Sequence, residues 1–151
     1  MTTIFTKLNL KEQREIVVLN APDSFESEMK SLKTVSILRD VRKAKRIDFL
    51  LAFVTARQEV ERIANAIARL AEGDAVVWFA YPKGTSKRYR CDVNRDTGWE
   101  PLGKAGFEHV RLVAIDEDWS ALRFRRVEFV KTMARRRSFA ITKQGKARTR
   151  T

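Results

Sequence analysis

Two stretches of the chain are apolar at nearly every position: Ile47 to Val54, interrupted only by Asp48, and Ala75 to Ala80. Continuous apolarity over so short a run predicts strands covered on both faces, as in a parallel sheet. Ile16-Val17-Val18-Leu19-Asn20, closed by Ala21-Pro22, reads as another buried strand, and Thr34 to Leu38 as a further one. Between those two, Asp23 and Glu26 stand at capping-box spacing ahead of a short helix through Glu28 to Leu32. Thr55 and Gln58 form a second such box. It opens an amphipathic helix whose stripe is Val60, Ile63, Ala64, Ile67, Leu70 and Ala71, with Gly73 where a C-terminal cap belongs. Arg39 to Arg46 is a charged connector. Asp92 to Lys104, punctuated by Gly98, Pro101 and Gly103, predicts short helical turns. Phe107 to Ile115 and the run holding Leu122, Phe124 and Val127 are joined by Asp116-Glu117-Asp118-Trp119-Ser120, which predicts an antiparallel hairpin.

Strands that alternate with helices imply a three-layer α/β domain on a mostly parallel sheet, with the terminal hairpin as an antiparallel edge. The expected domain spans residues 1–130. Residues 131–151 form a basic C-terminal tail, expected to be disordered, in which Phe139-Ala140-Ile141 is too short to anchor an element. A chain of 151 residues fits one domain.

Composition narrows the chemistry. One cysteine, Cys91, excludes an internal disulfide and a multi-cysteine zinc site, and one histidine, His109, excludes a histidine-rich metal site. No apolar run approaches the roughly 20 residues of a membrane span, and the first residues carry no signal-peptide pattern, so the expectation is a soluble cytoplasmic protein. The net charge is +12, unevenly spread. Arg125 to Thr151 carries ten Lys and Arg against the single acid Glu128. A second basic cluster holds Lys83, Lys87, Arg88, Arg90 and Arg95, opposed by Asp92. Such patches suit a polyanion, nucleic acid first, or serve only as solvated surface.

In an open α/β sheet, ligands bind beyond the carboxyl ends of the strands. That places Asn20, Thr55 and the loop with Lys83, Thr85, Ser86, Lys87 and Arg88 in one crevice. Hydroxyls, a glycine and lysines in one loop suit an anion or phosphate, although the spacing is not that of a P-loop. Arg90, Arg95, Arg135, Arg136 and Arg137 are the candidate nucleic-acid contacts. Asp116, Glu117 and Asp118 offer oxygen ligands, but adjacent carboxylates in a tight turn point apart, and no metal is expected. Trp78, Trp99 and Trp119 read as packing residues. Cys91 lacks a nearby histidine base, so no catalytic residue is assigned.

The segments Arg46-Ile47-Asp48-Phe49-Leu50-Leu51 and Gly73-Asp74-Ala75-Val76-Val77-Trp78, in this order of elements, resemble the central strands of the Rossmann-like S-adenosylmethionine-dependent methyltransferase fold, over roughly residues 14–128. The resemblance implies a strand order of 2-1-3-4-6-5, with one β-α unit missing before Ile47. It also implies a cofactor held by a Gly-x-Gly turn and an acid after the first strand, and a ribose acid after the second. Here the first turn is Leu19-Asn20-Ala21-Pro22-Asp23, without glycine, and Asp40 stands near the end of the second strand. Four blocks (Val18 to Pro22, Tyr81-Pro82-Lys83 with Thr85-Ser86-Lys87, Gly98 to Gly103, and Asp116 to Phe124) further resemble a family of small bacterial proteins of unknown function. The expectation is therefore a Rossmann-like, non-enzymatic module that binds an anionic ligand or partner, with no cofactor, S-adenosylmethionine included. The alternatives are a nucleic-acid-associated protein using the tail and loop, and a divergent methyltransferase.

Overall fold

A computed structural model describes residues 3–87, 89–94 and 97–130. The sheet is six-stranded: β1 (Glu15–Leu19), β2 (Ser36–Leu38), β3 (Phe49–Phe53), β4 (Val76–Pro82), β5 (Phe107–Ala114) and β6 (Trp119–Arg126). Its order is β2-β1-β3-β4-β6-β5, the order expected from the sequence. The first four strands run parallel, and β6 pairs antiparallel with both β4 and β5. The mixed α/β, mostly parallel architecture is thus as expected. The tail from residue 131 onward, with Arg135, Arg136 and Arg137, lies outside the described residues, as do Arg88 and Arg95.

Both faces of the middle strands are covered, which is why they are apolar throughout. Every residue of β3 and β4 is buried. On one face, α3 (Arg57–Leu70) presents Val60, Ile63, Ala64 and Ile67 to Leu50, Ala52, Val77, Phe79, Leu122 and Phe124. The short helix α4 (Glu100–Lys104) adds Leu102, with Trp99 buried just before it. On the other face, α1 (Ile4–Lys7) and α2 (Glu26–Lys30) bring Phe5, Leu8, Phe25 and Met29 against Phe49, Leu51, Phe53 and Trp78.

Helix α1 was not anticipated. Four residues carry no readable periodicity, and so short a helix does not hold itself together in water. It forms because Phe5 and Leu8 are buried at roughly 1.5–3 kcal/mol each. It is also pinned from below: the Trp78 indole N–H donates to the Leu8 carbonyl at 2.7 Å.

Both expected capping boxes formed differently. Asp23–Phe25 is a 3-10 turn without a side-chain cap, and Glu26 instead accepts two hydrogen bonds from Arg39, at 2.7 and 2.9 Å. At α3 the cap falls one residue later than the Thr55–Gln58 spacing implies. Glu59 reaches back so that its Oε1 accepts from Thr55 N–H at 2.8 Å, the Thr55 hydroxyl at 3.1 Å and Ala56 N–H at 3.1 Å. A carboxylate takes several donors where a glutamine carbonyl takes fewer, so the register with Glu59 wins.

Gly98 and Trp78 carry two tests of this packing. Gly98 has φ +99, and a Cβ there would overlap the Val93 side chain. Gly98→Ala should lower stability by about 1–3 kcal/mol in urea unfolding. Trp78→Phe leaves the buried Leu8 carbonyl without its donor. A loss of about 1–3 kcal/mol is expected, with amide exchange accelerating first in residues 4–8.

Candidate functional site

The carboxyl ends of β1, β3 and β4 meet at one end of the sheet, and three adjoining hollows open there. The first, about 620 Å³, is formed by the turn Asn20 to Ser24, by Phe53, Thr55 and Glu59, and by Tyr89 and Trp119. The second, about 480 Å³, runs from Tyr81 to Asn94 and shares Tyr89 with the first. The third, about 440 Å³, lies between Thr85, Lys87, Glu117 and Asp118. The four sequence blocks singled out above thus fold largely to this end, although they are far apart in the chain.

The first hollow is shaped by the turn after β1. Asn20 takes φ +59, the left-handed backbone that glycine adopts most readily and asparagine tolerates. Its side-chain amide donates to the Phe53 carbonyl at 3.3 Å, which ties the end of β1 to the end of β3. The floor is aromatic. Trp119 is buried, meets Phe53 edge-on at a centroid distance of 5.0 Å, and lies 4.8 Å from the Tyr89 ring. The Trp119 indole nitrogen is buried and has no hydrogen-bond partner. Such a donor is costly to leave unmade. Among the described residues, the two charged ones lining this hollow are both acidic: Asp23, exposed at the rim, and Glu59, whose Oε1 caps α3.

The candidate anion residues are therefore split among the hollows. Asn20 and Thr55 share the acidic, aromatic one. Lys83 and Ser86 line the second with Arg90, while Thr85 and Lys87 line the third. Ser86 is occupied locally: its hydroxyl donates to Asp118 Oδ1 at 2.9 Å and accepts from Tyr89 N–H at 3.3 Å. The backbone N–H of Lys83 donates to the Asp118 carbonyl at 2.8 Å. The loop is thus laced to the hairpin turn, and its hydroxyl does not face an open cradle.

The acids of that turn build it. Asp116 Oδ1 accepts from the N–H groups of Asp118 and Trp119, each at 2.8 Å. Among the described residues no group of three or more histidines, cysteines or acids is placed to hold a metal ion. No helix among them is long and apolar enough to cross a membrane.

Sequence reasoning missed Asp23, Ser24, Phe53, Glu59 and Tyr89 as lining residues and treated Trp119 as packing alone. Asp23 carried a signal, since it stands in the turn after the first strand. Tyr89 carried only a weak one, as a lone aromatic inside a basic loop.

The sequence matches no family model and no curated protein sequence. The fold does match solved structures. An S-adenosylmethionine-dependent methyltransferase from Aquifex aeolicus superposes with a TM-score of 0.56 at 15% identity, over 82% of this chain and 88% of that one. The magnesium protoporphyrin IX methyltransferase of Synechocystis PCC 6803 superposes with a TM-score of 0.51 at 11% identity with S-adenosylmethionine bound, over 82% of this chain and 74% of that one. With S-adenosylhomocysteine bound, that enzyme superposes with a TM-score of 0.52 at 10% identity, over 82% and 78%.

These likenesses correct two expectations. The reading as a non-enzymatic binding module gives way, because two solved structures that share this fold over 82% of the chain are methyltransferases. The expectation of no cofactor gives way with it, because the neighbours hold S-adenosylmethionine or its product. The physical ground for that expectation was the glycine-free turn, and Asn20 supplies the left-handed backbone without glycine.

Cys91, half-buried in the second hollow, is no ready nucleophile. Burial pushes its thiol above the ordinary value; the Val93 N–H opposes this, and the Asp92 and Glu59 carboxylates add to it. A raised thiol pKa means that stability from keeping the proton holds below the unfolded value and fades as pH climbs through the folded one. Iodoacetamide at about pH 8 should therefore label Cys91 more slowly than a free cysteine peptide, with the midpoint of the rate–pH profile displaced to alkaline pH. A midpoint at or below that of the peptide refutes the assignment.

Proposed function

We propose that this chain is a divergent S-adenosylmethionine-dependent methyltransferase whose cofactor occupies the hollow between the Asn20–Ser24 turn and Trp119. One observation carries the reading: in a strongly basic protein, this hollow at the carboxyl ends of β1 and β3 has acidic and aromatic walls. S-adenosylmethionine joins a flat purine to a sulfonium cation and an amino group. Aromatic rings suit the first, and the Asp23 and Glu59 carboxylates suit the second. An anion would meet repulsion there. The volume, about 620 Å³, lies within the range of small-molecule sites.

The residues present fit the cofactor in part. Asn20 gives the turn the backbone shape that lets a ligand approach the end of β1. Tyr89, backed by the buried Trp119 and Phe53, would pack against the purine and exclude water, and Asp23 and Ser24 at the rim would hold its polar end. When bound, the cofactor supplies an electrophilic methyl group. The second hollow, joined to the first through Tyr89, would admit the acceptor, and Lys83 and Arg90 at its edge favour an acceptor carrying negative charge. Nucleic acid is the polyanion this charge distribution suits best, with the basic tail as a further contact. The cytoplasm, where such acceptors are abundant, is the compartment this reading implies.

Saturating S-adenosylhomocysteine tests the cofactor assignment. At a hundred times its Kd it should add about 2.7 kcal/mol to the unfolding free energy of the full chain. In Ala21→Trp, whose indole fills the hollow, that gain should vanish while the variant still unfolds cooperatively. No saturable gain in the wild-type chain refutes the assignment.

A further inference from the structure

On the face of the terminal hairpin that also carries Trp119 and Ala121, the register of β5 and β6 sets Arg111 directly opposite Arg123. Like charges facing each other across an antiparallel pair are destabilising, and their Cβ atoms stand roughly 5 Å apart. The neighbouring arginines have found partners. Arg125 makes a two-point ion pair with Asp74, at 2.9 and 2.6 Å. Arg126 donates to the carbonyls of Ala71 and Ala68, each at 2.8 Å, and lies over the Phe107 ring. Arg123 has no such partner: its Nε is buried without a hydrogen bond, beside Trp78 on β4. Asp74, the carboxylate that acts electrostatically on Arg123, is already paired with Arg125. Glu108 is on this face too, but its register partner is Arg125.

We propose that Arg111 and Arg123 form an anion site that takes a phosphate group. Two guanidinium forks side by side match the oxygens of a phosphate better than those of any single neutral ligand. An anion there would cancel the cross-strand repulsion and give the Arg123 Nε an acceptor. Residues 131–151 contain no aspartate or glutamate to supply that charge. The site is separate from the cofactor hollow and does not depend on it. Arg123 is four residues from Trp119 along β6, toward the end of the strand where Asp74 holds Arg125.

Two measurements on the full chain test the site and separate a phosphodiester backbone from a free phosphorylated molecule. The first is the melting temperature as inorganic phosphate replaces chloride at constant ionic strength. The second is the affinity for a labelled short duplex DNA across a salt series. The variants are Arg111→Gln, an exposed edge-strand change that leaves the core untouched, and Arg111→Gln with Arg123→Gln. The wild-type melting temperature should rise with phosphate, and this rise should shrink in the single variant and vanish in the double. If the phosphate belongs to a nucleic-acid backbone, the slope of log K against log salt should also flatten by about 0.9 for each arginine removed. A lost phosphate response with an unchanged slope assigns the site to a free phosphorylated ligand. A flattened slope alone assigns it to the backbone. An unchanged phosphate response together with an unchanged slope overturns the proposal. Stabilisation by S-adenosylhomocysteine should be the same in all three proteins, which keeps this test apart from that of the cofactor hollow.

Discussion

Everything in this domain depends on burying β3 and β4 on both faces. Neither strand has a polar face to turn toward water, so each face must be covered by other elements. α3 and α4 cover one side, and the N-terminal helix, the turn at Phe25 and α2 cover the other. With both faces closed, a ligand can reach the backbone only at the strand ends. The carboxyl ends carry the long connections, and there the turn after β1, the loop after β4 and the hairpin turn enclose hollows that share walls. The position of the site is a consequence of the core.

That constraint was legible in the sequence because it acts on every residue of a strand. Uninterrupted apolarity at Phe49 to Phe53 and Val76 to Tyr81 can mean only a doubly covered strand or a buried helix, and the runs are too short for the latter. Alternation in β6 equally marked a strand with one apolar face. What could not be read were features decided by a single long-range contact. Helix α1 exists through Phe5, Leu8 and the indole of Trp78, some seventy positions away. The start of α3 is marked by Glu59, whose carboxylate reaches back to the N–H groups of Thr55 and Ala56.

The site was half legible. A hollow lies where topology places ligands, and Asn20 and Thr55 line it. Its chemistry did not follow, for two reasons. A left-handed asparagine looks like any other asparagine in a sequence, so the glycine-free turn at Asn20 read as unable to admit the cofactor, although Asn20 itself was a candidate anion contact. And the lysines of the loop after β4 were assumed to face the same crevice as Asn20. In the folded chain Ser86 and Lys83 are bound to the hairpin turn through Asp118, which holds the basic loop to one side. The hollow that results is lined by Asp23, Glu59 and rings.

The outcome is a division of charge that the net value conceals. Arginines that stabilise the fold have partners: Arg39 with Glu26, Arg42 with Asp40, Arg125 with Asp74. These exposed or half-exposed pairs contribute little individually to stability, but they remove their cations from the surface potential. Among the described residues, the cations nearest the acidic hollow that make no ion pair are those of the loop with Lys83 and Arg90, which lines the adjoining hollow. A cationic ligand drawn to Asp23 and Glu59 and an anionic one drawn to the surrounding lysines and arginines would bind side by side, each partly neutralising the field that would repel the other. Under the proposed reading, an enzyme that brings a sulfonium donor against a negatively charged acceptor would need that arrangement, with Glu59 serving both the start of α3 and the wall of the hollow.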